Sequence, residues 1–131
     1  MRFVFGDLTR QLSPGPAGIE LKIWAEFAIE ADGETIYRDD LFPVVEFALE
    51  SQSWAKDDAR LGADLVIEGR FAFRHSKGAW DVEGARVTTD ILLDALERYY
   101  EALRGQVQTK FSFDLDAFAE RAPRVVKEKL Q

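Results

Sequence analysis

One stretch limits the possible folds more than any other. From Ile19 to Glu30, the residues Ile19, Leu21, Ile23, Ala25, Phe27 and Ile29 alternate with Glu20, Lys22, Trp24, Glu26, Ala28 and Glu30. A period of two places successive side chains on opposite sides of a strand, so the run predicts a long strand with one face on a core. Asp32-Gly33 follows directly and suits a two-residue hairpin, which needs positive φ at both central positions. With those residues as the turn, Ile29 is expected opposite Ile36 and Ala28 opposite Tyr37, keeping Ile36 on the buried face.

The flanking segments fill in the pattern. Phe3 to Leu8 reads as a short strand, closed by the breaker cluster Ser13-Pro14-Gly15-Pro16-Ala17-Gly18. Pro43 suits a helix start, since its missing N–H has no partner there in any case. Over 43–54, Val44, Val45, Ala48 and Leu49 then share one side, and Glu46, Glu50 and Ser53 the other. After a polar loop from Lys56 to Gly62, Leu65, Ile67, Phe71 and Phe73 alternate with Val66, Glu68, Arg70 and Arg74. Ser76-Lys77-Gly78 turns the chain into a returning strand on which Trp80 and Val82 share a face.

Thr88-Thr89-Asp90 offers caps for a helix over 90–104, with the stripe Leu92, Ala95, Leu96, Tyr99 and Leu103 and a natural stop at Gly105. Lys110-Phe111-Ser112-Phe113 reads as extended. Asp114 or Asp116 is placed to cap a third helix through Ala122, and Pro123 must kink or restart it. The order β-β-β-α-β-β-α-α predicts one α+β domain over 1–131: an antiparallel sheet of about five strands, with two or three helices on one face.

Composition then narrows function. With 47% hydrophobic residues the chain can bury a real core, and 131 residues suit a single domain. It contains no cysteine, which fits a reducing compartment, and its N-terminus does not read as a signal peptide; the expected location is the cytoplasm. No apolar run is long enough for a membrane helix. The formal charge is −7, and residues 121–131 are locally +3, so residues 1–120 carry −10. Nucleic-acid phosphates want a basic face, whereas an acidic body attracts a basic protein.

Catalytic sets are sparse. His75, the single histidine, sits beside a hairpin turn without ligand or triad partners at useful spacing. In extended chain, Asp39-Asp40 and Asp57-Asp58 point their carboxylates apart. Glu26 and Glu30 share a face but lie about 13 Å apart along a strand, beyond the reach of an acid–base pair. Asp114-x-Asp116 lacks the further oxygen ligands of a calcium loop and reads as a cap. No phosphate-cradling glycine pattern occurs. Neither a metal nor a cofactor is expected, nor is an enzyme.

Binding candidates are clearer. Asp90, Asp94, Glu97 and Glu101 fall at i, i+4, i+7 and i+11, opposite the apolar stripe of their helix. Glu46 and Glu50 stack one turn apart, Asp57 extends the line, and the adjacent Asp58 is a further partner-binding candidate. Like charges at i, i+4 each cost a few tenths of a kcal/mol, roughly 0.2–0.5, partly compensated between Asp94 and Arg98, so such rows read either as a solvated face that aids solubility or as a docking surface that steers a cationic partner. Trp24, on the polar side of the long strand among charges, is a candidate anchor. It could equally be covered by a helix or by Tyr37. Trp54 and Trp80 read as core.

The run Phe42-Pro43-Val44-Val45-Glu46-Phe47-Ala48, with Trp54 ending that helix and Lys77-Gly78-Ala79-Trp80 closing the later strand pair, resembles small bacterial immunity-like proteins. These accompany polymorphic or contact-dependent toxins. The resemblance spans roughly 19–105 and implies a cytoplasmic, non-enzymatic protein that binds and neutralises a cognate toxin. It transfers no functional residue. Two other classes compete with it. One is a secretion chaperone. The other is a small-molecule binder or enzyme with an apolar cavity lined by Phe27, Phe71, Phe73 and Tyr99.

Overall fold

The computed structural model describes residues 1–15 and 18–118. The first half runs β1 (Arg2–Phe5), β2 (Thr9–Gly15), β3 (Gly18–Ala31), β4 (Glu34–Pro43) and α1 (Val44–Asp57). A 3-10 turn at Ala59–Leu61 leads to β5 (Leu65–Ile67), β6 (Phe71–Ser76), β7 (Ala79–Val82), β8 (Ala85–Val87) and α2 (Thr89–Phe111), and residues 115–118 are helical. The fold is α+β with antiparallel pairing throughout the described strands. Instead of one sheet of about five strands, it divides them between two sheets of four.

The long alternating run is the spine of the first sheet. Trp24 pairs with Thr9 on one side and Pro43 on the other, so β2 and β4 occupy opposite edges of β3. β1 lies on the β2 edge, with Arg2–Phe5 against Glu30–Phe27. Gly6 donates its N–H to the Glu26 carbonyl at 2.9 Å, after which Asp7 and Leu8 together stand opposite Ala25 before pairing resumes at Thr9. β1 and β2 are therefore one edge strand interrupted by a bulge, which restores Leu8 to the core side. The expected strand over Phe3–Leu8 is broken there. Most of the expected breaker cluster is strand, because an edge tolerates Pro14. Pro16 and Ala17 lie outside the described residues, as do the side chains of Ile19 and Leu21.

Asp32 and Gly33 adopt φ of 52° and 79°, as the hairpin requires. The register beyond them differs from expectation. A shift beside Ile36 sets Tyr37 opposite Ile29 and Arg38 opposite Ala28, and both Ile36 and Tyr37 pack on the core. A second shift at Asp40 and Leu41 leaves Leu41 exposed and buries Phe42.

The second sheet is the meander β5-β6-β7-β8. Trp80 and Val82 are fully buried on its inner face. Lys77-Gly78 makes the expected turn, and Glu83-Gly84, with φ of 50° and 89°, makes a further hairpin into β8.

Aromatic rings join the sheets: Phe3 lies 5.8 Å from Phe73, and Phe27 lies 5.8 Å from Phe71. Phe47 of α1 sits among Phe3, Phe27, Phe42, Phe71 and Tyr99. The buried side of α1 therefore includes Phe47, Ser51 and Trp54 besides Val44, Val45 and Ala48, while Leu49 is only partly covered. Pro43 occupies the cap position, one residue before the helix proper.

Thr88 caps α2 by accepting from the Ile91 N–H at 3.3 Å. The helix does not stop at Gly105. Val107 is fully buried and extends the stripe, so tertiary burial outweighs the roughly 1 kcal/mol penalty of glycine in a helix. Lys110 and Phe111, expected in an extended segment, belong to this helix, and Ser112 ends it in the left-handed region. Asp114, not Asp116, caps the next turn by accepting from the Ala117 N–H at 3.1 Å. The expected continuation through Ala122, the Pro123 kink and the basic segment 121–131 lie outside the described residues. Among the described residues, no helix is long and apolar enough to cross a membrane.

Candidate protein-binding surface

The helix periods decide where the carboxylates go. Since α1 and α2 turn their apolar stripes inward, Glu46 and Glu50 stand exposed on α1, and Asp90, Asp94, Glu97 and Glu101 on α2. Asp57 ends α1 and Asp58 follows it, both exposed. Among the described residues, Asp94 is the one member of this group of eight in an ion pair, with Arg98 at 2.9 Å. The other seven form no ion pair among the described residues. Glu50 is the most stressed. Although the residue as a whole is exposed, burial of its carboxylate, and then the neighbouring Glu46 charge, raise its pKa above the ordinary glutamate value.

Trp24 stands on the first sheet, not on a helix. It lies on β3 between Thr9 and Pro43, away from Tyr37, which faces Ile29. It is only partly exposed, and its buried indole N–H meets no acceptor among the described residues. Trp54 and Trp80 are core residues, as expected, and both use their N–H groups: Trp54 donates to the Ala63 carbonyl at 2.8 Å, and Trp80 to Thr89 Oγ1 at 3.0 Å.

The possible catalytic groups are held in structural contacts. His75 packs edge-on against Trp80 at 4.8 Å. Asp39 is half-buried between the sheets, where it pairs with Arg70 and accepts from the Tyr37 hydroxyl at 3.1 Å and the Leu41 N–H at 3.0 Å. Arg70 also lies over the Phe42 ring, 5.2 Å from its centroid. Asp40 points away, near Arg38. Glu30 is bonded to Arg2 at 2.8 Å. Asp116 accepts from Tyr100 at 2.8 Å, and burial together with that bond pushes the Tyr100 pKa up to about 12. Among the described residues no group of three His, Asp or Glu is placed to hold a metal ion.

Phe27, Phe71, Phe73 and Tyr99 do not meet around one shared hollow. All four are buried, and their rings pack on one another, with Phe27 5.9 Å from Tyr99 and Phe71 5.7 Å from Phe73. A shallow open trough of about 470 Å³ lies instead on the outer side of the second sheet, where Arg70, Arg74, Asp81 and Glu83 surround Ala72 and Val66.

Sequence reasoning missed two features. The Asp39–Arg70 clip joins residues 31 apart and has no local signature. The loop from Lys56 to Gly62, read as polar, displays Leu61 with 84% of its surface exposed; that lone leucine among charges was the available signal. No protein-family model, curated protein or solved structure matches this chain.

Proposed function

We propose that this chain is a non-enzymatic binding protein whose helical carboxylate rows dock a basic protein, and that the partner is a bacterial toxin domain neutralised by the contact in the cytoplasm. The observation that carries this reading is the set of seven exposed carboxylates on and beside α1 and α2 that pair with no cation among the described residues. Rows of like charge oppose helix formation, so a folding liability is kept on the surface where a cationic partner would offset it. The packing of His75 and the internal pairing of Asp39 support binding over turnover. The toxin identity rests on the resemblance around Phe42–Ala48 and Lys77–Trp80.

The test is co-expression with the product of the adjacent reading frame, followed by titration of the purified pair. Complex formation, protection of the host and an association rate that falls steeply with salt are the expected results. Changing Glu46, Glu50, Glu97 and Glu101 to glutamine should slow association about tenfold or more. Absence of both complex and protection, or binding indifferent to salt and to those changes, would overturn the reading.

A further inference from the structure

Leu61 is the most exposed large apolar side chain among the described residues, at 84%, followed by Leu41 at 61%. A lone exposed leucine is ordinary; one on a clamped turn is less so. The Asp58 N–H bonds to the Trp54 carbonyl at 2.8 Å, and the Asp58 carbonyl in turn accepts from the N–H groups of Leu61 and Ala63. Trp54 holds the Ala63 carbonyl from the core side. Asp64 accepts from the His75 N–H at 2.8 Å, which ties the turn to β6. Gly62 sits at φ 73°, and a Cβ there would fall 3.0 Å from His75 Nδ1, so the glycine lets the imidazole close against the turn. Leu61 is thus presented by a fixed backbone at the end of α1, next to Asp57 and Asp58, in a stretch with two more carboxylates than cations over 44–61.

We propose that this turn is the apolar anchor of the docking surface, and that its occupant is a basic protein surface carrying an apolar patch that covers Leu61. This rests on the protein-binding reading above and adds to it a specific contact. The rigid turn lowers the ordering cost of binding, and burying a leucine side chain strengthens binding by about tenfold or more. The surrounding carboxylates admit a cationic rim and disfavour an acidic one. His75, Gly62 and Trp54 act as positioning residues for the display.

The experiment titrates the full chain with two fluorescent helical peptides of equal positive charge, one with a leucine face and one with serine in those places. The leucine peptide should bind at least about fivefold tighter, and Leu61→Ser should abolish that advantage without altering the melting temperature. Raising salt, or the pair Glu50→Gln and Asp57→Asn, should weaken both peptides alike. Equal binding of the two peptides, or a leucine preference that survives Leu61→Ser, overturns the anchor while leaving the acidic docking surface in place. If neither peptide binds, the acidic docking surface falls and the anchor with it.

Discussion

Gly105→Ala tests the central departure of the structure from local sequence logic. Gly105 lies inside α2 with negative φ, it is exposed, and a Cβ built on it meets nothing within 4 Å. Alanine there forfeits no contact, gains helix propensity and narrows the unfolded ensemble, for a gain of about 0.5–1 kcal/mol. For a domain of this size that corresponds to a rise in Tm of about 2–4 °C, measurable by calorimetry or by helical circular dichroism. If Gly105 instead ended the helix in the left-handed region, alanine would cost about 1–2 kcal/mol, and Tm would drop. The sign alone decides. Gly62→Ala is the matched opposite: φ of 73° and a 3.0 Å approach to His75 Nδ1 predict a loss of more than about 1 kcal/mol. A melting temperature lowered by Gly105→Ala, or unchanged by Gly62→Ala, would refute the backbone assignment at that position.

Three further outcomes follow from named contacts. Glu50 has a raised folded pKa, so the native state holds its proton more tightly than the unfolded chain; stability falls as pH rises through that window, and the cost is fully present at neutral pH. Glu50→Gln should therefore stabilise at pH 7 and lose its advantage below about pH 4 in urea melts; an equal effect at both pH values would contradict the linkage. Trp24→Phe discards an indole N–H that meets no acceptor among the described residues, so its effect should stay within about 1 kcal/mol, whereas Trp54→Phe and Trp80→Phe each break a partly buried bond of a core side chain and should cost about 1–3 kcal/mol. Equal losses at all three tryptophans would count against this distinction. Asp39→Ala strips acceptors from Arg70, Tyr37 and Leu41 and should cost about 1–3 kcal/mol, a range discounted for partial solvent access; a double-mutant cycle with Arg70→Met showing strict additivity would rule out the clip.

What the sequence disclosed was local period, and what it concealed was anything set by a distant partner. The β3 alternation, the Asp32-Gly33 and Lys77-Gly78 turns and the Thr88 cap all follow from a few adjacent residues, and each lies in the structure where those residues put it. The bulges at Gly6–Leu8, Ile36 and Asp40–Leu41 do not, because a bulge is settled by what the partner strand must bury. Helix α2 outruns Gly105 for the same reason: Val107 finds a core that no window of sequence can display. Two four-stranded sheets replaced one larger sheet because the ring contacts of Phe3 with Phe73 and Phe27 with Phe71 are long-range.

The same distinction governs the candidate surface. The carboxylate rows were legible because the helical period that buries Leu92, Leu96 and Leu103 necessarily places Asp90, Asp94, Glu97 and Glu101 opposite. A leucine among charges at position 61 was visible, but its fixed display was not, since the clamped turn depends on Trp54, Gly62 and His75 meeting in space. A charged row can arise wherever a helix has an outer face, and solubility is reason enough to keep it. Fixing a bare leucine on a clamped turn brings no such benefit, and the stability gained from that turn would be the same with a serine at position 61. The anchor therefore discriminates between a merely solvated surface and a docking surface more sharply than the carboxylates do, and Leu61→Ser is the single change that separates them.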